Sequence, residues 1–217
     1  MKTAADILLI LLLSGIFGFI HSFLASNKIK RNIAEKAGNK IAFYRLFYNF
    51  VSVISFVALL EVCPKPDIII YELKPPYDLV MFGLQALSLF GLIAAAAAMD
   101  LKEFTGIAQV KRYFEGTYKI EDLDAGQTLD TRGLHSISRH PVYLFSILFL
   151  GFRPYMDLFY LVLFITASAY FFIGAYYEEK KLIEKFGVEY LQYRKRVSKI
   201  IPLKFNFKGD KNEFASS

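Results

Sequence analysis

The chain has 217 residues, of which 55% are hydrophobic, and its mean hydropathy is positive. That balance excludes an ordinary soluble domain and points to a protein that meets lipid. The net charge of +6 lies in loops between apolar blocks, so it reads as membrane topology rather than nucleic-acid binding.

In chain order, Ile7–Leu24 is the first apolar block, interrupted only by Ser, Gly and His21. Lys2 ahead of it imitates a signal peptide. No small-residue cleavage pattern follows, so the block is expected to stay as a span. Leu46–Leu60, extended back to Phe43, is the second, and Tyr77–Met99 the third. Between them Cys63–Pro76 holds four of the seven prolines and reads as a short outer loop. Val142–Phe152 is too short for the roughly 20 residues a span needs, whereas Leu158–Tyr177 suffices. The two are expected to pair as a helical hairpin about Arg153-Pro154. The expected spans are thus 7–24, 43–62, 77–99, 140–152 and 157–177, in an all-α integral membrane fold of about five helices. A loop at 100–138 and a C-terminal helix at 178–196 complete one domain over 1–207, and 208–217 reads as a flexible tail. That C-terminal helix carries an apolar stripe of Leu182, Ile183, Phe186 and Leu191.

Charge sets the parity. Ala25–Ala42 carries five Lys and Arg, 100–139 carries six and the segment after Tyr177 carries ten. The alternate connections carry only Lys65 and Lys74 in one and Arg153 in the other. Lys and Arg gather on the cytoplasmic side, so five passes with the N-terminus outside and the C-terminus cytoplasmic fit, whereas four strand the basic tail on the wrong face.

Two polar clusters stand at the ends of the expected hairpin, where charge is costly unless it serves something. Pro141 suits a first helical turn. Arg139 and His140 just before it can clamp a carboxylate or phosphate, or can anchor at lipid headgroups. Glu178 and Glu179 can face the bundle and meet an ammonium or Arg139. Alternatively they form a solvated helix start with Glu178 paired to Lys181. His21 reads either as a proton acceptor or as a core histidine with its hydrogen bonds satisfied, and Arg45 as a snorkelling anchor. His21, His135 and His140 lack metal-ligand spacing, so no metal site is expected. Neither a glycine-rich phosphate loop nor a serine nucleophile elbow is present.

The ordered set 129–133 (LDTRG), 139–143 (RHPVY), 178–182 (EEKKL), 186–190 (FGVEY) and Tyr193 resembles the C-terminal core of the isoprenylcysteine carboxyl methyltransferase and phospholipid methyltransferase superfamily. His21-Ser22 with Ala25, 44–49 (YRLFYN) and 104–109 (FTGIAQ) are similar to its methanethiol S-methyltransferase branch and NnrU-type relatives. The resemblance implies S-adenosylmethionine-dependent methyl transfer to a small thiol, at a membrane site open to the cytoplasm. It implies cofactor contacts from Gln109, Thr131, Gly133, His135, His140, Tyr143 and Glu179, and acceptor contacts from Arg45, Tyr48 and Arg194. Arg139, His21 and Glu178 are implied as catalytic, with His21 or Arg139 favouring the thiolate. Alternatives are a prenylcysteine carboxylate or phospholipid amine as acceptor, a non-catalytic NnrU-like protein binding a hydrophobic ligand, and, more distantly, a sterol-reductase-like enzyme. Two departures from the pattern concern the acceptor. His135 stands where an aromatic is usual, and Phe145, where Gly is usual, is expected to narrow the pocket.

Overall fold

The computed structural model describes residues 2–120 and 129–203. The expected tail at 208–217 and part of the 100–138 loop lie outside the described residues. The elements are α1 (Lys2–Ala25), α2 (Asn27–Ala37), α3 (Tyr44–Val62), β1 (Ile69–Glu72), α4 (Tyr77–Ala97), α5 (Leu101–Thr105), α6 (Ile107–Phe114), α7 (Pro141–Gly151), β2 (Tyr155–Asp157) and α8 (Leu158–Arg196). Among the described residues four helical stretches are long and apolar enough to cross a membrane: Lys2–Ala25, Asn27–Val62, Tyr77–Ala97 and Leu158–Arg196. Their outward faces expose large apolar side chains such as Leu8, Phe19, Phe50, Val53, Leu79 and Phe90. So much uncovered apolar surface is incompatible with water and suits lipid.

Local chemistry sets the helix boundaries. Ser26 caps α2 through Ile29 N at 3.4 Å, and Asp100 caps α5 through the N–H groups of Lys102 and Glu103. Asp157 caps α8 by accepting from Tyr160 N at 2.8 Å, and Pro141 occupies the first turn of α7.

The expected all-α chain contains one small exception. β1 and β2 form an antiparallel ribbon with Ile69 opposite Asp157 and Glu72 opposite Tyr155. The reason lies in α7. Its 11 residues rise only about 16 Å, roughly half the depth of a bilayer core. The chain continues from Phe152 in extended form, which leaves backbone groups that a helix would have satisfied internally. The ribbon supplies partners: Leu73 N donates to Pro154 O and Leu158 N to Ile68 O, both at 2.9 Å. Tyr71 Oη donates to Arg153 O at 3.0 Å. Non-helical backbone near lipid persists only where protein pairs it. α7 also packs more extensively against α4 than against α8, so the expected two-helix hairpin is a three-helix arrangement.

The ribbon marks one end of the molecule. There Ile10 of α1, Leu59 of α3 with Cys63 just beyond it, and Phe159, Val162 and Leu163 of α8 form a buried cluster. At the opposite end α2, α5, α6 and the C-terminal part of α8 enclose a second region around Ala34, Ile41, Ala42, Tyr44 and Tyr118. Successive long helices therefore run in alternating directions between the two ends.

The expected C-terminal helix is present but broken. α8 turns at Gly187 (φ 55°), and Val188–Arg196 folds back on the segment before it. Leu182, Ile183 and Phe186 pack on Tyr190, Tyr193 and Val197, while Leu191 of the expected stripe is exposed. The return brings Ser198 and Lys199 beside the start of α7. Their carbonyls accept from Arg139 N at 3.0 Å and His140 N at 3.1 Å.

Candidate functional site

A cavity of about 1020 Å³ opens at the end remote from the ribbon. Its wall includes Arg45, Tyr48, Gln109, His135, Arg139, His140 and Glu178 among the residues singled out in the sequence. A smaller cavity of about 410 Å³ adjoins it, sharing Ala98, Asp130 and His135 and adding Arg132, Gly133 and Leu134. Glu179, Tyr143, His21, Thr131 and Arg194 stand outside these walls.

The floor is a buried charge cluster. Arg139 and Glu179 are 9% and 3% exposed. The guanidinium meets Glu179 Oε1 through Nε at 2.7 Å and Nη2 at 2.6 Å. Its Nη1 donates to the carbonyls of Arg194 and Val197 at the end of α8. His140 Nε2 at 3.6 Å, Arg194 Nε at 3.8 Å and Lys199 Nζ at 3.8 Å complete the cationic surround of Glu179. Burial favours the neutral acid, but His140, Arg139 and Lys199 outweigh it and hold Glu179 down to about 2. Glu179, just past the apolar part of α8, is a permanent carboxylate at physiological pH.

The neighbouring glutamate faces the other way. Glu178 accepts from Tyr143 Oη at 3.1 Å, lies 3.4 Å from His140 Nδ1 and keeps 43% of its side chain exposed, toward the cavity. The two residues separate because Ala175, fully buried with Leu144 and Ile200, fixes the rotation of α8. Gly174, a turn before Glu178, faces Tyr143, whose hydroxyl lies 3.8 Å from where a β carbon would stand, an ordinary contact distance. His140 stacks on Tyr143, with centroids 5.3 Å apart and planes 6° apart, and Tyr143 stacks on Phe171. Tyr143 thus supports the wall through His140 and Glu178.

The opposite wall is carried by α5 and α6, clamped on α3. Arg45 Nη1 donates to Glu103 O at 2.8 Å, and Asn49 Nδ2 to Phe104 O at 3.0 Å and Thr105 O at 3.1 Å. Glu103 also accepts from Arg112 and, at 2.7 Å, from Gln109 Nε2. That contact orients the Gln109 amide and leaves its Oε1 buried without a hydrogen-bond partner among the described residues, on a residue 4% exposed in the cavity wall. An orphaned acceptor of this kind fits a ligand that brings an N–H or O–H.

Glu103 was not legible as a site residue. It lies across the α5–α6 break from Gln109 and Arg112, so no helical spacing links them. Phe145 does not narrow the cavity as expected. Its ring lies against α4, 2.3 Å from where a β carbon on Gly91 would stand. His135 does line both cavities, and its carbonyl accepts from Tyr193 Oη at 2.6 Å. Arg194 is half-exposed beside Glu179. His21 is enclosed by Phe17, Tyr48, Ser52 and Tyr170.

Methanethiol S-methyltransferase 1 of Bradyrhizobium diazoefficiens is 28% identical over 204 residues, 93% of this chain and 68% of that protein. Methanethiol S-methyltransferase 2 of the same organism is 28% identical over 202 residues, 92% of this chain and 74% of its own length. The chain resembles the methanethiol S-methyltransferases along most of its length. That of Pseudomonas deceptionensis is 38% identical over 69 residues, 32% of this chain and 26% of its own. No family model matches the chain, and no solved structure matches it. The likeness read from the ordered residue set is thus found again in whole-chain comparison.

Proposed function

We propose that this chain is an integral membrane methyltransferase that uses S-adenosylmethionine and methylates a small thiol such as methanethiol. The observation that carries the reading is the whole-length likeness to proteins named for that activity. The cavity supports it, with a carboxylate, an orphaned amide oxygen and several cations at the end of an apolar bundle. Basic segments gather at that same end, which we assign to the cytoplasm. Five passes then place the N-terminus outside and the C-terminus inside.

When bound, the cofactor supplies an electrophilic methyl group on a sulfonium. Glu178 would meet its ammonium, Gln109 Oε1 would accept from a ribose hydroxyl or the adenine amine, and His140 would give a flat wall held by Tyr143. Gly133 and His135 would border the smaller cavity on the adenine side, while Thr131 stands behind that wall. Arg45 and Lys181 supply positive charge for a carboxylate. Arg139 is already committed to Glu179 and the end of α8, so both act by holding the floor in place. Arg194 contributes through its carbonyl to that same lock. Tyr48 and Arg45 border the space left for the acceptor. Methyl transfer is an in-line displacement, so the residues accelerate it mainly by positioning and by excluding water.

Calorimetry in detergent tests cofactor binding. The wild type is expected to bind S-adenosylmethionine below millimolar concentration. Glu178→Ala is expected to weaken it by about 1.5–3 kcal/mol, the usual loss of a hydrogen bond to a charged group. No binding by the wild type would contradict the proposal.

A further inference from the structure

One positive charge in the cavity wall has no opposite. Arg45, half-buried near the start of α3, lines the cavity. One of its five N–H groups is used, Nη1 donating to Glu103 O at 2.8 Å. No carboxylate stands within ion-pair distance of its guanidinium among the described residues. Neighbouring guanidiniums are matched, Arg139 by Glu179 and Arg112 by Glu103. That matching is what leaves Arg45 bare. Glu103 offers it only a carbonyl, because its carboxylate is turned to Arg112 and Gln109. Asp100, in the same wall, uses one carboxylate oxygen to cap α5. A charge drawn out of water without a partner is costly unless something brings the partner.

Two anions could do so, the carboxylate of the cofactor and the thiolate of the acceptor, and position separates them. The cofactor carries its ammonium and its carboxylate on one carbon. With the ammonium at Glu178, the carboxylate falls to Lys181, one turn along α8 in the same wall. Arg45 stands on the opposite wall, where the exposed apolar side chains of Met99 and Phe104 form the rim. A small apolar thiol that arrives from lipid passes that rim and meets Arg45.

We propose that Arg45 is the catalytic residue that holds the acceptor as its thiolate, leaving Lys181 to the cofactor carboxylate. This rests on the methyltransferase reading above. The bound thiol gives its proton to water, and the S–H bonding pair stays on sulfur beside the guanidinium. That pair forms the new carbon–sulfur bond. The bonding pair of the departing methyl stays on the cofactor sulfur, which becomes a thioether. Thiolate and sulfonium charges cancel, so nothing holds the neutral sulfide at Arg45 and it leaves for the lipid. The same charge disfavours a phospholipid amine, which is cationic at neutral pH. The other ionisable groups on this side are Asp100 and Glu103 of the α5 end, Lys30 of α2, and Tyr44 and Tyr48 of α3. Lys30 has a partner of its own, Tyr44 Oη donates to Leu24 O at 2.7 Å, and Tyr48 Oη lies over the His21 ring.

The test follows turnover at saturating methanethiol against pH for the wild type, Arg45→Gln and Arg45→Lys, with S-adenosylmethionine affinity from calorimetry. An opposite charge lowers an acid's pKa by about 1–3 units, so the wild-type rate should level off below the thiol's own titration range. Arg45→Gln should lose about 10- to 1000-fold at neutral pH. Its rate should then climb about tenfold per pH unit, as the thiol ionises unaided, until the gap closes. Arg45→Lys keeps the charge without the fork and should keep the wild-type profile. Cofactor affinity should be the same in all three. A substitution that only loosens the wall costs rate equally at every pH, and that result overturns the proposal. A fall of about tenfold or more in S-adenosylmethionine affinity with an unchanged pH profile gives Arg45 to the cofactor carboxylate and also overturns it. A wild type that transfers no methyl group overturns the thiolate role together with the reading beneath it; wild-type transfer with an indifferent Arg45→Gln overturns the thiolate role alone.

Discussion

Glu179→Ala is expected to lower stability by about 3–5 kcal/mol and to abolish activity, the largest single effect in the molecule. The substitution leaves Arg139, 9% exposed, without its anion, and leaves Lys199 and Arg194 facing the same hole. It also loosens the junction between the start of α7 and the end of α8, leaving it the backbone bonds of Arg139 and His140 to Ser198 and Lys199. The carboxylate's folded value lies below its ordinary 4.5, so its contribution is present above that value and is lost as pH falls through about 2. Replacing both partners, Arg139→Met with Glu179→Leu, is expected to recover part of the stability, because the buried guanidinium is gone and the part-exposed Lys199 and Arg194 can turn to water. The chain has no tryptophan, but its sole cysteine, Cys63, is buried, so a thiol-reactive dye reports unfolding on heating in detergent. A Glu179→Ala protein that exposes Cys63 at the wild-type temperature would refute the role given to the pair.

Gly106→Ala is expected to empty the opposite wall. Gly106 has φ +97°, and an added β carbon would stand 2.8 Å from Leu46 N and 3.1 Å from Arg45 Cβ. Backbone cannot yield as a side-chain tip can, so α5 and α6 must lift from α3. The cost is about 1–3 kcal/mol in backbone strain alone. Lifting breaks the Asn49 and Arg45 bonds to Phe104, Thr105 and Glu103, and withdraws the amide of Gln109 from the cavity. Cofactor affinity should fall by at least about tenfold, the equivalent of about 1.4 kcal/mol. Gly116→Ala is the control. It too has positive φ, at +69°, but a β carbon there meets nothing within 4 Å. Calorimetry on the two variants decides the matter, since equal affinities would show that the clamp does not hold the site.

The spans were legible because length and apolarity are properties of the chain itself. The expected 43–62 and 77–99 became α3 and α4 with boundaries moved by only a residue or two. The ribbon was not legible. Ile69–Glu72 carries no alternating pattern, and it pairs because the short α7 leaves an extended segment needing partners. The fold-back at Gly187 was missed because helical periodicity continues across it, and one positive φ reverses the chain. In the site, the contact between the start of α7 and Glu178-Glu179 was foreseen from parity and residue order. Which glutamate faces the cavity was not, since adjacent helical positions differ by a rotation that only packing fixes. Here the packing is Ala175 against Leu144 and Ile200. Phe145 illustrates the same limit, for its ring direction depends on a glycine on another helix.

Methyl transfer itself is the most direct measurement. The purified protein in lipid nanodiscs would be given S-adenosylmethionine labelled in the methyl group, with methanethiol, a prenylcysteine and a phosphatidylethanolamine offered side by side. Labelled dimethyl sulfide, formed in step with S-adenosylhomocysteine, is the predicted result. No labelled sulfide, or label appearing only in the prenylcysteine ester or the phospholipid, would contradict the proposed activity.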